Sequence, residues 1–193
     1  MHLQNLLEHR RSVRLFSGKK SIPPNDTEDC LRQATLAPTS SNMQLWQFIH
    51  LVDPKWSADL TKACLGQTAA STAQQWVVFV TRQDLFRSRA KVLLNFEKGN
   101  MTRKSPKDRQ VKRIAVREVY YGKLMPLLYA RFFRLLGIVR KLVVVVMGLF
   151  RPVVREVSET QMRTVVHKSC ALAAQTFMLA MAEKGYDTCP MEG

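Results

Sequence analysis

Arg10-Arg11-Ser12-Val13-Arg14 and, further along, Ala37-Pro38-Thr39-Ser40-Ser41-Asn42-Met43-Gln44-Leu45-Trp46 are the stretches whose reading decides the fold. The first brings cations and a hydroxyl together within one short extended segment. Its period of two puts Arg10, Ser12 and Arg14 on one side, with Arg11 and Val13 on the other. Arginine presents a rigid fork of donors that matches a phosphate. The second stretch supplies short hydrogen-bonding side chains, Thr39 to Asn42 with Gln44, where the chain must turn before a strand. Together they suit a ligand with an anionic end and a flat, amide-rich end. Taken singly, the first reads better as a solvated basic stretch and the second as a plain turn, because Pro, Ser and Asn are turn residues.

Around these blocks the pattern alternates between helix and strand. Residues 2–9 predict a short amphipathic helix, Val13 to Phe16 an extended segment, and Gly18 a turn. Pro23-Pro24 can open a helix whose apolar face is Leu31, Ala34 and Leu36, with Pro38 as its stop. Trp46 to Val52 predicts a strand, Asp53-Pro54 leads into a helix reaching about Cys64, and Trp76 to Val80 predicts a buried strand. Ser158-Glu159-Thr160-Gln161 matches a capping box. Met162, Val166, Cys170, Ala173, Phe177 and Met181 follow at helical spacing, and Lys184-Gly185 ends that helix. Asp187 to Met191 would start a final strand.

At 193 residues the chain fits one domain with a proper core. Cys30, Cys64, Cys170 and Cys189 form no C-x-x-C pair and predict free, buried thiols in a reducing compartment. His2, His9, His50 and His167 are scattered and make no catalytic set, and no metal-ligand spacing stands out. The N-terminus has no signal-peptide apolar core, so a cytoplasmic location is expected. The net charge of +15 sits in one place: residues 82–168 hold 21 Lys/Arg and 6 Asp/Glu, and the rest holds 9 of each.

With those residues in view, the chain resembles the FMN-dependent nitroreductases. That family's pattern begins R-R-S-x-R-x-F, matched by Arg10 to Phe16. It continues A-P-S-S-x-N-x-Q-P-W, matched by Ala37 to Trp46, and closes on P-x-E-G, matched by Pro190-Met191-Glu192-Gly193. Thr39 stands where the pattern has serine and Leu45 where it has proline. The resemblance implies an α+β fold, a central, mainly antiparallel sheet flanked by helices, in an intertwined homodimer with FMN in two interface clefts. It implies that Arg10, Arg11, Ser12 and Arg14 hold the phosphate and the N1/O2 edge of the flavin. It further implies that Pro38, Thr39, Ser40 and Asn42 reach the flavin from the other subunit and that Gln67 meets the pyrimidine ring. Met191, Glu192 and Gly193 would lie beside N5. The implied activity is an NAD(P)H oxidoreductase working by ping-pong hydride transfer to a nitroaromatic, a quinone or a similar acceptor, with FMN carrying the chemistry and no catalytic side chain required. Family members extend beyond the turn at Gly193 with a tail that helps hold the phosphate, so weaker FMN binding than the family norm is expected.

Arg82 to Glu156, 75 residues, predicts a long basic helical insertion or lid within a single domain spanning 1–193. Lys123, Arg134 and Lys141 are expected on one helical face. Its longest uncharged apolar run, Leu142 to Phe150, has nine residues, well short of the roughly 20 needed to span a bilayer. The favoured reading is a lid packed on the core and the dimer partner. The alternative is a non-catalytic or truncated protein of the same fold, whose basic helices lie on an anionic membrane at its inner face. Nucleic-acid binding ranks last, because no recognised module accompanies the charge.

Overall fold

The computed structural model describes residues 2–191. In chain order the elements are α1 (Leu3–His9), α2 (Pro24–Ala34), β1 (Trp46–Leu51), α3 (Ser57–Ala63), α4 (Thr68–Thr72), β2 (Trp76–Thr81), α5 (Phe86–Lys104), α6 (Lys107–Val119), α7 (Met125–Tyr129), α8 (Leu135–Met147) and α9 (Glu159–Glu183). Tyr120–Leu124 is a π-helical turn between α6 and α7. The chain falls into two compact units. The first takes the residues up to Pro38, Gln47–Val80 and those from Ala171 on; the second takes Thr39–Trp46 and Thr81–Cys170.

β1 and β2 form a two-stranded sheet. The residue after β2 bonds the residue before β1, with the Arg82 N–H donating to the Leu45 carbonyl at 2.9 Å, which is an antiparallel register. The fold is therefore α+β, as expected. β2 is half-buried rather than buried, with Val78 open to solvent, because helices cover only part of so small a sheet.

In the first unit, α2 starts on Pro24, whose missing N–H costs nothing in the first turn. Thr27, Cys30 and Ala34 form its buried stripe. The helix ends at Ala34, before Pro38, and leaves Leu36 in solvent rather than on the apolar face expected of it. Cys30 and Ala34 pack with Phe177, Ala180 and Met181 of α9. Phe79 joins this core through ring contacts of 4.9 Å to Phe48 and 5.6 Å to Phe177. Two leucines of α1 find no such cover within the unit: Leu3 and Leu7 are exposed, while Leu6 is half-buried.

Both ends of α9 follow from the sequence. Ser158 and Gln161 form the capping box, the Ser158 N–H donating to Gln161 Oε1 at 3.0 Å and the Gln161 N–H to Ser158 Oγ at 3.1 Å. All six positions of the expected apolar face, Met162 to Met181, are buried. At the far end Gly185 takes φ +79°. The Tyr186 N–H reaches back to the Met181 carbonyl and the Gly185 N–H to Ala182, a Schellman closure. Beyond it the expected strand reduces to a single parallel bridge, Thr188 to Ser12. The four cysteines are free, with Cys30 and Cys170 buried but Cys64 and Cys189 only half-buried.

The core of the second unit gathers Met43, Leu45, Ala90, Leu93, Tyr121, Met125, Tyr129, Met162 and Val166. The single basic face expected through Lys123, Arg134 and Lys141 is not formed. The chain leaves helix between Tyr129 and Leu135, where Phe133 and Arg134 both take left-handed backbone. α7 and α8 are separate helices.

Lys184 closes the first unit electrostatically. Its Nζ lies 2.7 Å from Asp26 Oδ1 and 3.3 Å from Asp29 Oδ2, and the Tyr186 hydroxyl donates to Asp26 Oδ2 at 2.7 Å. The Lys184 and Tyr186 bonds hold the Asp26 carboxyl below its ordinary range, and Arg32 with Lys184 does the same for Asp29. A lowered carboxylate stabilises the fold above its unfolded pKa, and the gain disappears as pH falls through the folded value. The raised Lys184 loses its share only in strong alkali. Thermal melting is therefore expected to worsen as pH drops through the carboxylate range, with a shallower acid limb in Asp26→Asn. Identical limbs for wild type and variant would remove this cluster from the account.

Candidate functional site

The first unit holds the basic segment. α1 ends at Arg10, whose N–H caps the Leu6 carbonyl. The Arg11 guanidinium turns back on the same helix end, at 2.7 Å from the Leu7 carbonyl and 3.0 Å from that of Arg10, so it satisfies orphan carbonyls rather than facing outward with its neighbours. Ser12 pairs with Thr188, and the Val13 N–H donates to the Thr188 carbonyl at 3.2 Å. Arg14 Nη1 donates to Gln67 Oε1 at 3.3 Å, and the Phe16 N–H to Thr72 Oγ1 at 3.1 Å. The basic segment is thus tied to both ends of α4, which bring Gln67 and Thr72 to it. Ser12, Arg14 and Gln67 are exposed.

A cavity of about 440 Å³ lies in the same unit, lined among others by Phe16, Gln74, Trp76, Tyr186, Thr188 and Met191. Gln74 shapes its rim: Nε2 donates to the Lys20 carbonyl at 2.6 Å and Oε1 accepts from the Ile22 N–H at 3.2 Å. Trp76 Nε1 and Thr188 Oγ1 are buried and have no hydrogen-bond partner among the described residues. Glu192 and Gly193, expected at the site, lie outside the described residues.

The second unit holds the turn that follows Pro38. Ser41, Asn42 and Gln44 all adopt left-handed backbone, with φ of 52°, 54° and 48°. Asn tolerates this region; Ser and Gln occupy it at a cost of order 1 kcal/mol or more. Surrounding bonds fix the strain in place. Ser41 Oγ is 2.7 Å from the Tyr120 hydroxyl, and the Tyr121 hydroxyl donates to the Ser41 carbonyl at 3.1 Å. Thr39 Oγ1 accepts from the Gln44 N–H, Asn42 Oδ1 accepts from Gln44 Nε2, and the Ser40 N–H donates to Ser169 Oγ. Asn42 and Ser40 keep their side chains exposed, and Thr39 is half-buried.

Adjacent tyrosines on an α-helix diverge by about 100°. Here the π turn at Tyr120–Leu124 lets both reach one residue. Pro126, which has no N–H for the α ladder, explains why the helix widens there.

The nitroreductase family model matches residues 7–193, a range that includes the basic segment and the turn. The chain belongs to the nitroreductase family. Solved structures of that fold agree. A proposed nitroreductase, ydfN, from Bacillus subtilis superposes with a TM-score of 0.65 at 18% identity, over 98% of this chain and 74% of its own. A proposed nitroreductase from Exiguobacterium sibiricum, solved in complex with FMN, gives 0.61 at 20%, over 100% and 75%. A proposed NAD(P)H:FMN oxidoreductase from Staphylococcus epidermidis gives 0.60 at 18%, over 95% and 70%. No curated protein matches the chain.

The donor set fits the flavin mononucleotide of that family. Arg10, Ser12 and Arg14 offer cationic and hydroxyl donors to a phosphate or a carbonyl, and Gln67 offers an amide to an amide-rich ring. Among the described residues no three acidic, His or Cys side chains gather to hold a metal ion. The sequence reading missed the side chains that hold these nitroreductase elements: Tyr120, Tyr121, Gln74 and Thr188. The available signal was Tyr120-Tyr121-Gly122 ahead of Pro126, two hydroxyls in an otherwise basic stretch.

Proposed function

We propose that this nitroreductase is an FMN-dependent oxidoreductase, drawing electrons from NAD(P)H and passing them to a small acceptor such as a nitroaromatic or a quinone. We take it to be a cytoplasmic homodimer in which each flavin is shared between subunits. The observation that carries the reading is the contact of Arg14 with Gln67, next to Ser12, on the exposed edge of the first unit. It sets a fixed cation beside a neutral amide. In this reading Arg10 and Ser12 hold the phosphate, while Arg14 and Gln67 face the pyrimidine edge, where reduction builds negative charge that a guanidinium stabilises. Pro38, Thr39, Ser40 and Asn42 would present the strained turn to the flavin of the partner subunit, and Met191 would lie on its N5 side. FMN, when bound, supplies the electron transfer; the chain supplies binding, orientation and charge. The bound FMN of the Exiguobacterium structure and the stated activity of the Staphylococcus protein support this reading.

The test is the visible spectrum of the purified protein at saturating FMN, before and after NADH or NADPH under anaerobic conditions. The expected result is a protein-bound flavin band that bleaches with the nicotinamide and returns when a nitroaromatic or quinone is added. No bound flavin at saturating FMN would end the enzyme reading in favour of a non-catalytic member of the fold. A monomer in that sample by light scattering would overturn the shared site.

A further inference from the structure

α8 is built inside out. A surface helix normally buries its apolar stripe and exposes its polar face. In α8 the buried residues are Gly137 and Arg140. Arg140, only 5% exposed, donates through Nε to the Leu136 carbonyl and through Nη1 to the carbonyls of Leu127 and Leu128 in the last turn of α7. Gly137 lies against the start of α9, where an added Cβ would stand 2.9 Å from the Glu159 backbone nitrogen. The Glu159 carboxylate accepts from the Phe132 N–H at 3.1 Å. Burial pushes its pKa up, but the N–H groups of Phe132, Arg134 and Gly137, with the Arg140 charge, bring it below its ordinary value. These contacts fix which side of α8 faces the second unit.

The opposite side is apolar and bare. Leu135, Ile138, Leu142 and Val146 are all more than half exposed, Leu142 at 67%, and Leu149 and Phe150, just past the end of the helix, are at 77% and 84%. Phe132 and Phe133 extend this surface beyond the start of the helix. Cations flank it along the chain: Arg131, Arg134, Lys141, Arg151 and Arg155 are exposed, and residues 119–155 contain no Asp or Glu.

We propose that this face of α8 is an interfacial membrane-docking surface for an anionic lipid bilayer. The leucines, valines and phenylalanines enter the headgroup–acyl boundary, and the flanking arginines and Lys141 meet lipid phosphates. Lys141, four residues from buried Gly137, lies on the flank of the apolar face, where its apolar stem lets the ammonium reach the headgroups. The charge pattern selects a bilayer over a second copy of the chain. An anionic leaflet answers all of these cations, whereas a two-fold contact with this patch on the axis would set cation against cation. At 13 residues α8 is too short to span. Among the described residues α9 alone is long and apolar enough by composition, and its apolar face is buried in protein. The surface therefore lies on a bilayer rather than crossing it.

Co-sedimentation of the full chain with vesicles tests this, with and without FMN, so that failure of the flavin reading leaves the outcome legible. Binding is expected to phosphatidylcholine vesicles containing phosphatidylglycerol at low salt, and to fall at high salt and with pure phosphatidylcholine. Leu142→Glu with Val146→Glu, both at exposed positions, should keep the wild-type circular dichroism and melting temperature yet weaken binding roughly tenfold or more. Lys141→Glu with Arg151→Glu should weaken binding to anionic vesicles and flatten the salt dependence. No sedimentation of wild type with anionic vesicles at low salt would overturn the proposal. So would unchanged binding by the folded Leu142→Glu, Val146→Glu chain. If that variant instead dissociated a wild-type oligomer while neither chain bound vesicles, the face would belong to a second copy and the proposal would fall.

Discussion

Replacing Tyr129 by alanine is expected to lower the free energy of unfolding by about 3–5 kcal/mol, the range for deleting a large buried ring. Tyr129 closes α7, is 2% exposed, and packs in the core of the second unit with Met43 and Leu45. Burial drives its phenol pKa upward, a sign that the ring is well removed from water, while a hydrogen bond to Ser40 partly offsets this. Its carbonyl accepts from Gln83 Nε2 at 3.1 Å. Tyr129→Phe keeps the ring and loses the hydroxyl, so its cost should be near 1 kcal/mol. Urea unfolding of both variants separates the terms. If alanine cost about as little as phenylalanine, the ring would not be the keystone of this core. The effect also reaches the candidate site, because Ser41, Asn42 and Gln44 are held in left-handed backbone only by what packs and bonds around them.

Arg14→Ala should weaken FMN binding by roughly ten- to a hundredfold, because a charge-assisted bond contributes about 1.5–3 kcal/mol and each 1.4 kcal/mol is tenfold. Arg14→Lys should fall between, keeping charge without the planar fork. Gln67→Ala should cost less, since it removes a neutral partner and frees Arg14 from its contact at 3.3 Å. Arg11→Ala should act on α1, whose terminal carbonyls it satisfies, more than on the cofactor. Titration of free FMN by its fluorescence measures all four. An unchanged Kd in Arg14→Ala would take that guanidinium out of the site.

Much of this architecture was legible along the chain. The capping box at Ser158, the buried stripe from Met162 to Met181 and the glycine closure at Gly185 rest on local rules, and the fold obeys them. The basic segment and the turn could be read as donor-rich blocks, and their order along the chain pointed to the family. What pattern could not reach was long-range geometry. Nothing in R-R-S-V-R says that Arg11 folds back on its own helix while Arg14 finds Gln67. Nothing in the turn says that two tyrosines far along the chain hold Ser41. Periodicity also misjudged the stretch before α8. A helical projection assumes unbroken backbone, and left-handed residues at Phe133 and Arg134 break it. Nor does hydropathy reveal that Arg140 points inward while its neighbour Lys141 stays exposed, since an apolar helix normally turns its cations out.

The widened turn at Tyr120–Leu124 also sets a phase. An α-helix advances about 100° per residue, so adding or removing one residue upstream of Pro126 would rotate everything after it by that angle unless the bulge absorbed the change. Tyr129 would swing out of the core and Ser41 would lose one of its two hydroxyl partners. The bulge works as the gear between the basic helices and the turn at Ser41: its tooth count, more than the chemistry of any one side chain in it, decides whether the two mesh.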